Sequence, residues 1–475
     1  ALKIDDTSTV TLQFSEAVAS FSSDDDITVQ NGSLATMTSS DNITWTGTFT
    51  PTSDVEDTSN ILTLATTYTD TAGNAPASAS TTANYEIDTI APTMTITSST
   101  VDDGSTSNDP AITLIFTSSE ATTDFTESDI TVNNGSMSNF ASVSSTVYTV
   151  IFTPSSNGAT TVDVAANKFT DPAGNPNTVA NQFNWTYDST PPTVTIASTT
   201  VTSGTTTNDS SIAVTFTTSE STTNFVDTDV IVSNGVLSNF SGSGSTYSTT
   251  FTPSADGLTT IDVPANSFTD SSTNQNTAAT QFTWTYDGTP PVITSVAATW
   301  GDCVSLAETT SNALVSIATT GAEDNQTVTV SLNGTNYTGS VSNNSTTITI
   351  PSSALASLTN GSTYSLTANV SDVYGNAATE SVISFTVDTT VPTMTITSST
   401  VSSGATSNDS SIALTFTASE ATTNFVEGDL TLTNGTISNF TSTSSTVYTA
   451  TFTPSADGAT AIACLLYTSP SPRDR

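Results

Sequence analysis

A motif that returns about every 100 residues constrains this chain more than any other feature. An aspartate followed four residues later by proline, as in Asp88-Thr-Ile-Ala-Pro92, recurs at positions 188, 287 and 388, in steps of 100, 99 and 101 residues. A fixed period indicates repeated structural units, and proline, which cannot donate to a sheet ladder, suits the linker between two of them. The sequence therefore predicts an array of domains of roughly 100 residues each instead of one compact core.

The motif also sets the predicted boundaries. We name the segments repeats 1 to 5, and they are predicted at residues 1–88, 89–188, 189–287, 288–388 and 389–463. Repeat 1 is expected to lack its start and repeat 5 its end, so the chain is interpreted as a fragment. Residues 464–475 break the pattern and closely resemble the in-frame translation of a sequencing adapter. We expect this tail to be non-native and exclude it from the fold prediction.

Within each repeat, apolar residues alternate with polar ones, mostly threonine. In repeat 2, Ile112, Leu114 and Phe116 show this period of two, which predicts a strand with one buried face. The predicted strands of repeat 2 contain Met94, Ile112, Ile130, Tyr148, Val162 and Phe183. About seven short strands per repeat are typical of an immunoglobulin-like β-sandwich. The predicted fold class is all-β, a tandem array of such sandwiches forming an extended rod of order ~150–200 Å.

The charge balance excludes several functions. The chain has 44 Asp and Glu residues against 4 Lys and Arg residues and no histidine, for a formal net charge of −40. Nucleic-acid binding needs clustered basic residues, and histidine-based catalysis needs histidine. No segment approaches the ~20 continuous apolar residues of a membrane span. We therefore expect no enzyme, no nucleic-acid partner and no direct membrane insertion; most of the acids are expected to be solvated surface charge.

Some acids nevertheless recur at fixed places. In repeat 2, Glu120 follows the second strand, and Asp171 opens the turn Asp171-Pro-Ala-Gly-Asn175. In an up-and-down sandwich, these positions share the pole at which the preceding repeat ends, so Asp88 is expected beside them. Close carboxylates repel one another by about 1 kcal/mol or more per pair, and Ca²⁺, which takes six to eight oxygen ligands, resolves that conflict.

The same reasoning extends along the chain. The candidate metal ligands are Asp88, Glu120, Asp129, Asp171, Asp188, Glu220, Asp229, Asp270, Asp287, Asp372, Asp388, Glu420 and Asp429. The alternative interpretation is that Asp-Xaa-Xaa-Gly-Asn is a plain tight turn and that the glutamates are solvated. Two departures favour that alternative locally: repeat 3 has lost the turn glycine, and repeat 4 lacks the Ser-Glu pattern, with Glu308 as the substitute considered.

The order of short motifs carries a family resemblance. Repeats 2, 3 and 5 share Phe-Thr-Xaa-Ser-Glu, Asn-Gly, Ser-Asn-Phe and Phe-Thr-Pro-Ser, and resemble the bacterial Ig-like domains of repetitive surface proteins. Repeat 4, with Trp300-Gly-Asp and Val370-Ser-Asp-Val-Tyr-Gly-Asn376, resembles a related subtype from RTX-type adhesins. The resemblance implies structural Ca²⁺ at inter-domain joins. Architecture and acidity together lead us to expect an extracellular or cell-surface location.

The leading hypothesis is a non-catalytic stalk of an adhesin-like protein, whose adhesion target, a glycan or protein, is bound by regions outside residues 1–475. Two alternatives stay open. The modules themselves bind a glycan or protein, with the divergent repeat 4 as the best candidate, or they are the accessory stalk of an extracellular hydrolase. Tryptophans are expected in the cores, and Cys303 is expected to be a buried or idle thiol.

Overall fold

The computed structural model describes residues 1–422 and 424–464, and strands dominate this part of the chain. Repeat 1 forms the sheets β1-β4-β3 and β2-β6-β7 and the pair β5-β8. Its elements are β1 (Ser8–Gln13), α1 (Ser23–Asp26), β2 (Ile27–Val29), β3 (Gly32–Leu34), β4 (Thr44–Pro51), β5 (Glu56–Asn60), β6 (Leu62–Leu64), β7 (Ser80–Thr81) and β8 (Tyr85–Asp88).

Repeat 2 is a sandwich of two four-stranded sheets, β13-β14-β11-β9 and β10-β16-β15-β12. Its strands are β9 (Met94–Ser98), β10 (Thr106–Ser107), β11 (Ile112–Ser118), β12 (Ile130–Asn133), β13 (Gly135–Ser142), β14 (Val147–Pro154), β15 (Gly158–Val164) and β16 (Phe183–Tyr187). A 3₁₀ turn, Glu127–Asp129, precedes β12. The strands predicted from alternation are present. The strand β13 was not predicted.

Repeat 3 follows the same plan, with sheets β17-β19-β21 and β18-β23-β22-β20. Its strands are β17 (Val194–Ser198), β18 (Thr206–Thr207), β19 (Ile212–Thr222), β20 (Ile231–Ser233), β21 (Gly235–Pro253), β22 (Gly257–Asp262) and β23 (Phe282–Tyr286), and a 3₁₀ turn, Asp227–Asp229, precedes β20. β21 is long because it spans the segment that repeat 2 divides between β13 and β14.

Repeat 4 diverges: a three-stranded sheet, β24-β26-β29, faces a five-stranded one, β25-β31-β30-β27-β28. Its elements are β24 (Val292–Ala298), β25 (Cys303–Ser305), a 3₁₀ turn (Glu308–Thr310), β26 (Ala313–Thr320), β27 (Thr327–Leu332), β28 (Thr335–Ser340), β29 (Ser345–Ile350), α2 (Ser352–Ala356), β30 (Thr363–Val370) and β31 (Ser381–Asp388).

Repeat 5 has one four-stranded sheet, β32-β33-β36-β35, and the pair β34-β37. Its elements are β32 (Met394–Ser398), β33 (Ile412–Ala418), a 3₁₀ turn (Glu427–Asp429), β34 (Leu430–Thr433), β35 (Gly435–Ser442), β36 (Val447–Pro454) and β37 (Ala461–Cys464). β37 ends on Cys464, one residue inside the predicted non-native tail, and the rest of that tail lies outside the described residues. The domain boundaries stay a prediction.

The cores form between the two sheets of each sandwich. In repeat 2, Leu114, Phe116 and Phe152 are fully buried, as expected from the alternation. Trp185 and Trp284 lie in the cores as well, and Cys303 is a buried free thiol. Along the described ranges, no helix combines the length and the apolar character needed to cross a membrane.

One packing contact recurs at the start of β13, β21 and β35, each of which begins at the glycine of an Asn-Gly pair. A Cβ placed on Gly135 would lie 2.1 Å from the ring of Phe152. Gly235 has the same relation to Phe251, and Gly435 to Phe452. Glycine is required there because the aromatic ring from the neighbouring strand packs directly over its backbone.

Candidate metal centre

Three elements place acids at the junction of repeats 1 and 2. Asp88 is the last residue of β8, and Glu120 lies just beyond the end of β11. β11 runs antiparallel to β9, with Ser118 opposite Met94, so the end of β11 lies beside the entry to repeat 2. Asp171 opens the turn between β15 and β16 at the same pole. The strand order thus brings side chains from two repeats to one place.

The carboxylates of Asp88, Glu120 and Asp171 come together there. One oxygen from each lies within 4.8 Å of the others. The corresponding residues of the next junction, Asp188, Glu220 and Asp270, form a second group within the same limit. Asp171 and Asp270 are buried, and the other four carboxylates are half-buried. Across the described part of the chain, these are the two groups of three or more potential metal ligands.

The charges in the first group are unfavourable without a cation. Burial, and then the negative charges of Asp88, Asp171 and Glu56, raise the pKa of Glu120 to about 7. Burial is also the largest cause of the raised pKa of Asp88, followed among the raising causes by the charges of Asp171 and Glu56. The ammonium of Lys3 donates to the carbonyl oxygen of Gly174 at 3.2 Å. The carboxylates of Asp88, Glu120 and Asp171 therefore form a strongly negative, partly dehydrated site.

The second group has the same electrostatic character. Burial raises the pKa of Glu220, and the charges of Asp270 and Asp188 add to that rise. The hydroxyl of Ser272 donates to an oxygen of Asp188 at 3.2 Å across the junction. The same residue types therefore meet in the same way at two successive junctions, although repeat 3 lacks the turn glycine. Thr273 takes its place with a φ of +70°.

An asparagine organises each of these turns. The backbone N–H of Asn175 donates to Asp171 Oδ1 at 2.9 Å, and its Nδ2 donates to Asp171 Oδ2 at 2.7 Å. The same Nδ2 also donates to the backbone oxygen of Asp88 at 2.8 Å. Asp171 is thereby held at the junction with both oxygens oriented. Each oxygen accepts one hydrogen bond in this way and keeps further lone-pair capacity for a cation.

The junction between repeats 3 and 4 differs. Asp287 and Asp372 occupy the places of Asp88 and Asp171, but among the described residues no third acidic side chain completes a group with them. Glu323, beyond the end of β26, accepts a hydrogen bond from Val373 N at 3.0 Å. Glu308 instead accepts bonds from the backbone N–H and hydroxyl of Ser305. The substitute considered from the sequence therefore caps its own turn.

The last junction is described only in part. Asp388 ends β31 and Glu420 lies just beyond β33, which are the places of Asp88 and Glu120. Within residues 389–422 and 424–464, repeat 5 contains no counterpart of Asp171.

Three predicted ligands lie apart from the junction groups. Asp129 accepts bonds from the backbone N–H and the hydroxyl of Thr126 at 2.8 and 2.9 Å. Asp229 and Asp429 accept the equivalent backbone bonds from Val226 and Val426. Each carboxylate caps the N-terminus of the 3₁₀ turn that precedes its strand. These acids therefore close local turns, and their assignment as metal ligands stays a prediction.

Two contributors were missed from the sequence. Glu56 lies opposite Asp88 in the β5-β8 ladder and adds negative charge to the first junction. The cross-junction bonds of the asparagines at 175, 274 and 376 are the second contribution that the sequence analysis does not predict. The spacing Asp-Xaa-Xaa-Xaa-Asn, which repeat 3 keeps without glycine, was the signal that pointed to them.

Comparison with known proteins identifies the repeats. A family model described as "Bacterial Ig-like domain" matches residues 1–87, 88–187, 188–286 and 388–469, which is more than half of the chain. Repeat 4 lies outside these matches. None of the curated protein sequences compared with the chain matches it.

Several solved structures are similar in fold. A Ca²⁺-stabilised adhesin with which an Antarctic bacterium binds ice has 20% identity, with 79% of this chain and 97% of that chain covered and a TM-score of 0.33. A 1.5-MDa bacterial ice-binding adhesin has 18% identity, with 63% of this chain and 98% of that chain covered and a TM-score of 0.31. Invasin, a bacterial integrin-binding protein, has 14% identity, with 83% of this chain and 82% of that chain covered and a TM-score of 0.34.

Proposed function

This chain belongs to the bacterial Ig-like domain family, and on that premise we propose that it is a non-catalytic stalk segment of an adhesin-like protein, located outside the cell or on its surface. Calcium at the junctions of repeats 1–2 and 2–3 is proposed to stiffen it. The observation that carries the calcium proposal is the meeting of three carboxylates from two repeats within 4.8 Å, twice in succession.

The donor set fits a hard divalent cation. All six side chains offer carboxylate oxygens, and there is neither histidine in the chain nor cysteine in the two groups. Oxygen-only sites with several negative charges favour Ca²⁺ over the transition metals, which prefer nitrogen or sulfur ligands. Bound Ca²⁺ would supply charge neutralisation and a bridge between two repeats. The chain itself contributes the orientation of Asp171 and Asp270 by their asparagines.

The stalk role is supported by the sameness of the repeats. Repeats 2 and 3 use equivalent strands, turns and junction residues, so their surfaces offer the same chemistry along the chain. A ligand-binding module would need loops that differ from one repeat to the next. Two successive joints of the same kind instead suit a structural element in which each repeat contacts its neighbours.

The test is calcium titration of the full chain by calorimetry, with Glu120→Gln as the variant. We expect the wild type to take up Ca²⁺, and the variant to lose the site at the first junction while that at Glu220 remains. At free Ca²⁺ about 100 times the Kd, each site should stabilise the folded chain by about 2.7 kcal/mol. Glu127→Gln, an identical swap at an exposed residue of the same repeat, is the matched control.

The same variant has an opposite effect in EDTA. Glutamine keeps the shape of Glu120 but removes one negative charge, so the metal-free variant should melt at a higher temperature than the metal-free wild type. In calcium the order should reverse. Absence of calcium uptake by the wild type, together with equal melting temperatures in EDTA, would remove the basis of the calcium proposal.

A further inference from the structure

The junctions contain a second set of contacts that uses no carboxylate–metal bond. We infer that the pole of each repeat carrying the Asp-Xaa-Xaa-Xaa-Asn turn is a docking surface for the preceding repeat, and that the turn asparagine binds that repeat directly. We call Asn175, Asn274 and Asn376 the junction asparagines. The partner is the last strand and the adjoining loop of a sandwich of the same kind.

The turn itself forms from local bonds. Repeat 1 shows this at Asp70, where the equivalent turn is exposed. Asn74 there donates from its backbone N–H and from Nδ2 to the two oxygens of Asp70, each at 2.8 Å. Asn175 makes the same two bonds to Asp171. The turn is thus built within one repeat, and its asparagine keeps one side-chain N–H and its amide oxygen for further hydrogen bonds.

The remaining capacity is used on the preceding repeat, in the same way at three junctions. Nδ2 of Asn175 donates to the backbone oxygen of Asp88 at 2.8 Å. Asn274 does so to Asp188 at 2.8 Å, and Asn376 to Asp287 at 2.9 Å. Both hydrogens of each side-chain amide therefore have an acceptor, one within the repeat and one across the junction.

The amide oxygen completes the contact. Oδ1 of Asn175 accepts from Ile4 N at 2.7 Å. At the next two junctions, Asn108 Nδ2 donates to Asn274 Oδ1 at 3.1 Å, and Asn208 Nδ2 donates to Asn376 Oδ1 at 3.3 Å. A donor and an acceptor of one planar amide thus bind two different elements of the preceding repeat, which fixes the relative orientation of the two.

Burial makes the contact specific. Asn175 is fully buried and Asn274 is 8% exposed. A buried amide needs partners for its polar atoms, and leaving a group without one costs stability. At these positions the preceding repeat supplies those partners, so misaligned docking is disfavoured.

The junction of repeats 3 and 4 separates this contact from the carboxylate groups. Asn376 makes its full set of bonds there, although Asp287 and Asp372 are not completed by a third acidic residue among those the structure describes. The docking surface is therefore expected to hold this joint in EDTA, whether or not the other junctions bind calcium.

The experiment measures the joint directly, by electron–electron double resonance between spin labels on repeats 3 and 4 of the full chain in EDTA. The background carries Cys303→Ser and Cys464→Ser, and the labels are attached at the exposed positions Ser241→Cys and Thr338→Cys. We expect one narrow distance distribution for this background. Asn208→Ala, which removes the donor to Asn376 Oδ1 and leaves the turn intact, should broaden it.

A second variant and a control complete the test. Asn376→Asp places an oxygen where Nδ2 donates to Asp372 and Asp287, and should abolish the narrow distance. Asn336→Asp, the same swap on the exposed face of β28, should leave it unchanged. If Asn376→Asp alters the circular dichroism of the chain, Asn208→Ala decides. A distribution as narrow with Asn208→Ala as in the background would overturn the inference. Because all samples contain EDTA, failure of calcium binding elsewhere does not affect the result.

Discussion

At the scale of single residues, Glu120 and Asp129 show that two carboxylates of one repeat have different roles because their surroundings differ. Both are acids next to strands of repeat 2. Asp129 accepts two hydrogen bonds from Thr126, which satisfy its charge locally. Glu120 is partly buried and faces Asp88 and Asp171. Burial and the negative charges of these neighbours disfavour its ionised form. The first carboxylate stabilises a turn, whereas the second makes the junction depend on what neutralises it.

This difference predicts a pH dependence in EDTA. The folded-state pKa of Glu120 is about 7 against an ordinary value of 4.5, so the folded chain holds a proton that the unfolded chain releases. Stability contributed by this group is present below pH 4.5 and is lost as pH rises through about 7. The groups facing it are Asp88, Asp171 and Glu56, all acidic. Thermal melts at about pH 5 and about pH 8, one on either side of the folded-state pKa, check it.

Glu120→Gln provides the comparison for these melts, because it cannot titrate. The loss of melting temperature between the two pH values should be smaller in the variant than in the wild type. An equal loss in both would assign the pH effect to other carboxylates.

At the scale of elements, the starts of β13, β21 and β35 are defined by close packing. Gly135, Gly235 and Gly435 each lie under a phenylalanine ring from the neighbouring strand, with 2.1 to 2.2 Å between the ring and a Cβ placed there. This contact lies within one sheet, at one end of the sandwich. It also explains why the asparagine before this strand is followed by glycine in four repeats that vary elsewhere, because Gly32 has the same relation to Phe49.

Replacing this glycine should therefore overpack the core. Gly135→Ala is expected to destabilise repeat 2 by about 1–3 kcal/mol, because Phe152 cannot move without displacing its neighbours. Hydrogen exchange of β14 in the full chain measures the effect. Gly428→Ala, at a glycine whose added Cβ has no neighbour within 4 Å, should leave exchange in β36 unchanged.

The elements also show how far the sequence alone reaches. Alternation locates β11 and β14 because one face of each is apolar. It misses β13, in which Met137 and Phe140 are too widely spaced for a period of two and the register shifts between Ser138 and Ala141. The meeting of Asp88, Glu120 and Asp171 follows from strand direction. The cap made by Asp129 and the cross-junction bonds of Asn175 depend on side-chain rotamers, which no spacing rule fixes.

At the scale of the whole molecule, the junctions between repeats determine how stiff the chain is, and its net charge of −40 makes them sensitive to cations. Each repeat has its own core, so the mechanical properties of the array depend on the junctions. Two junctions combine a three-carboxylate group with a junction asparagine, and the third has the asparagine alone. The joints of one chain are thus expected to differ in their response to calcium.

Small-angle scattering of the full chain should report this difference. Stiffened sandwiches of ~30–40 Å each would give a length of order ~150–200 Å. We expect the maximum dimension to fall when EDTA replaces calcium, because the first two junctions then bend. The double variant Glu120→Gln, Glu220→Gln should have the same maximum dimension in both conditions, because calcium no longer acts on its first two junctions. A wild-type dimension that is independent of calcium would contradict the prediction.

The bond from each junction asparagine goes to a main-chain oxygen, and this has a consequence for inheritance. The residues after Asp88, Asp188 and Asp287 differ, yet the same oxygen is offered each time. A gene that gains or loses one whole repeat by recombination therefore creates a new joint between two old surfaces that already fit. Length becomes a trait that selection adjusts in steps of one repeat, without a compensating mutation at each seam.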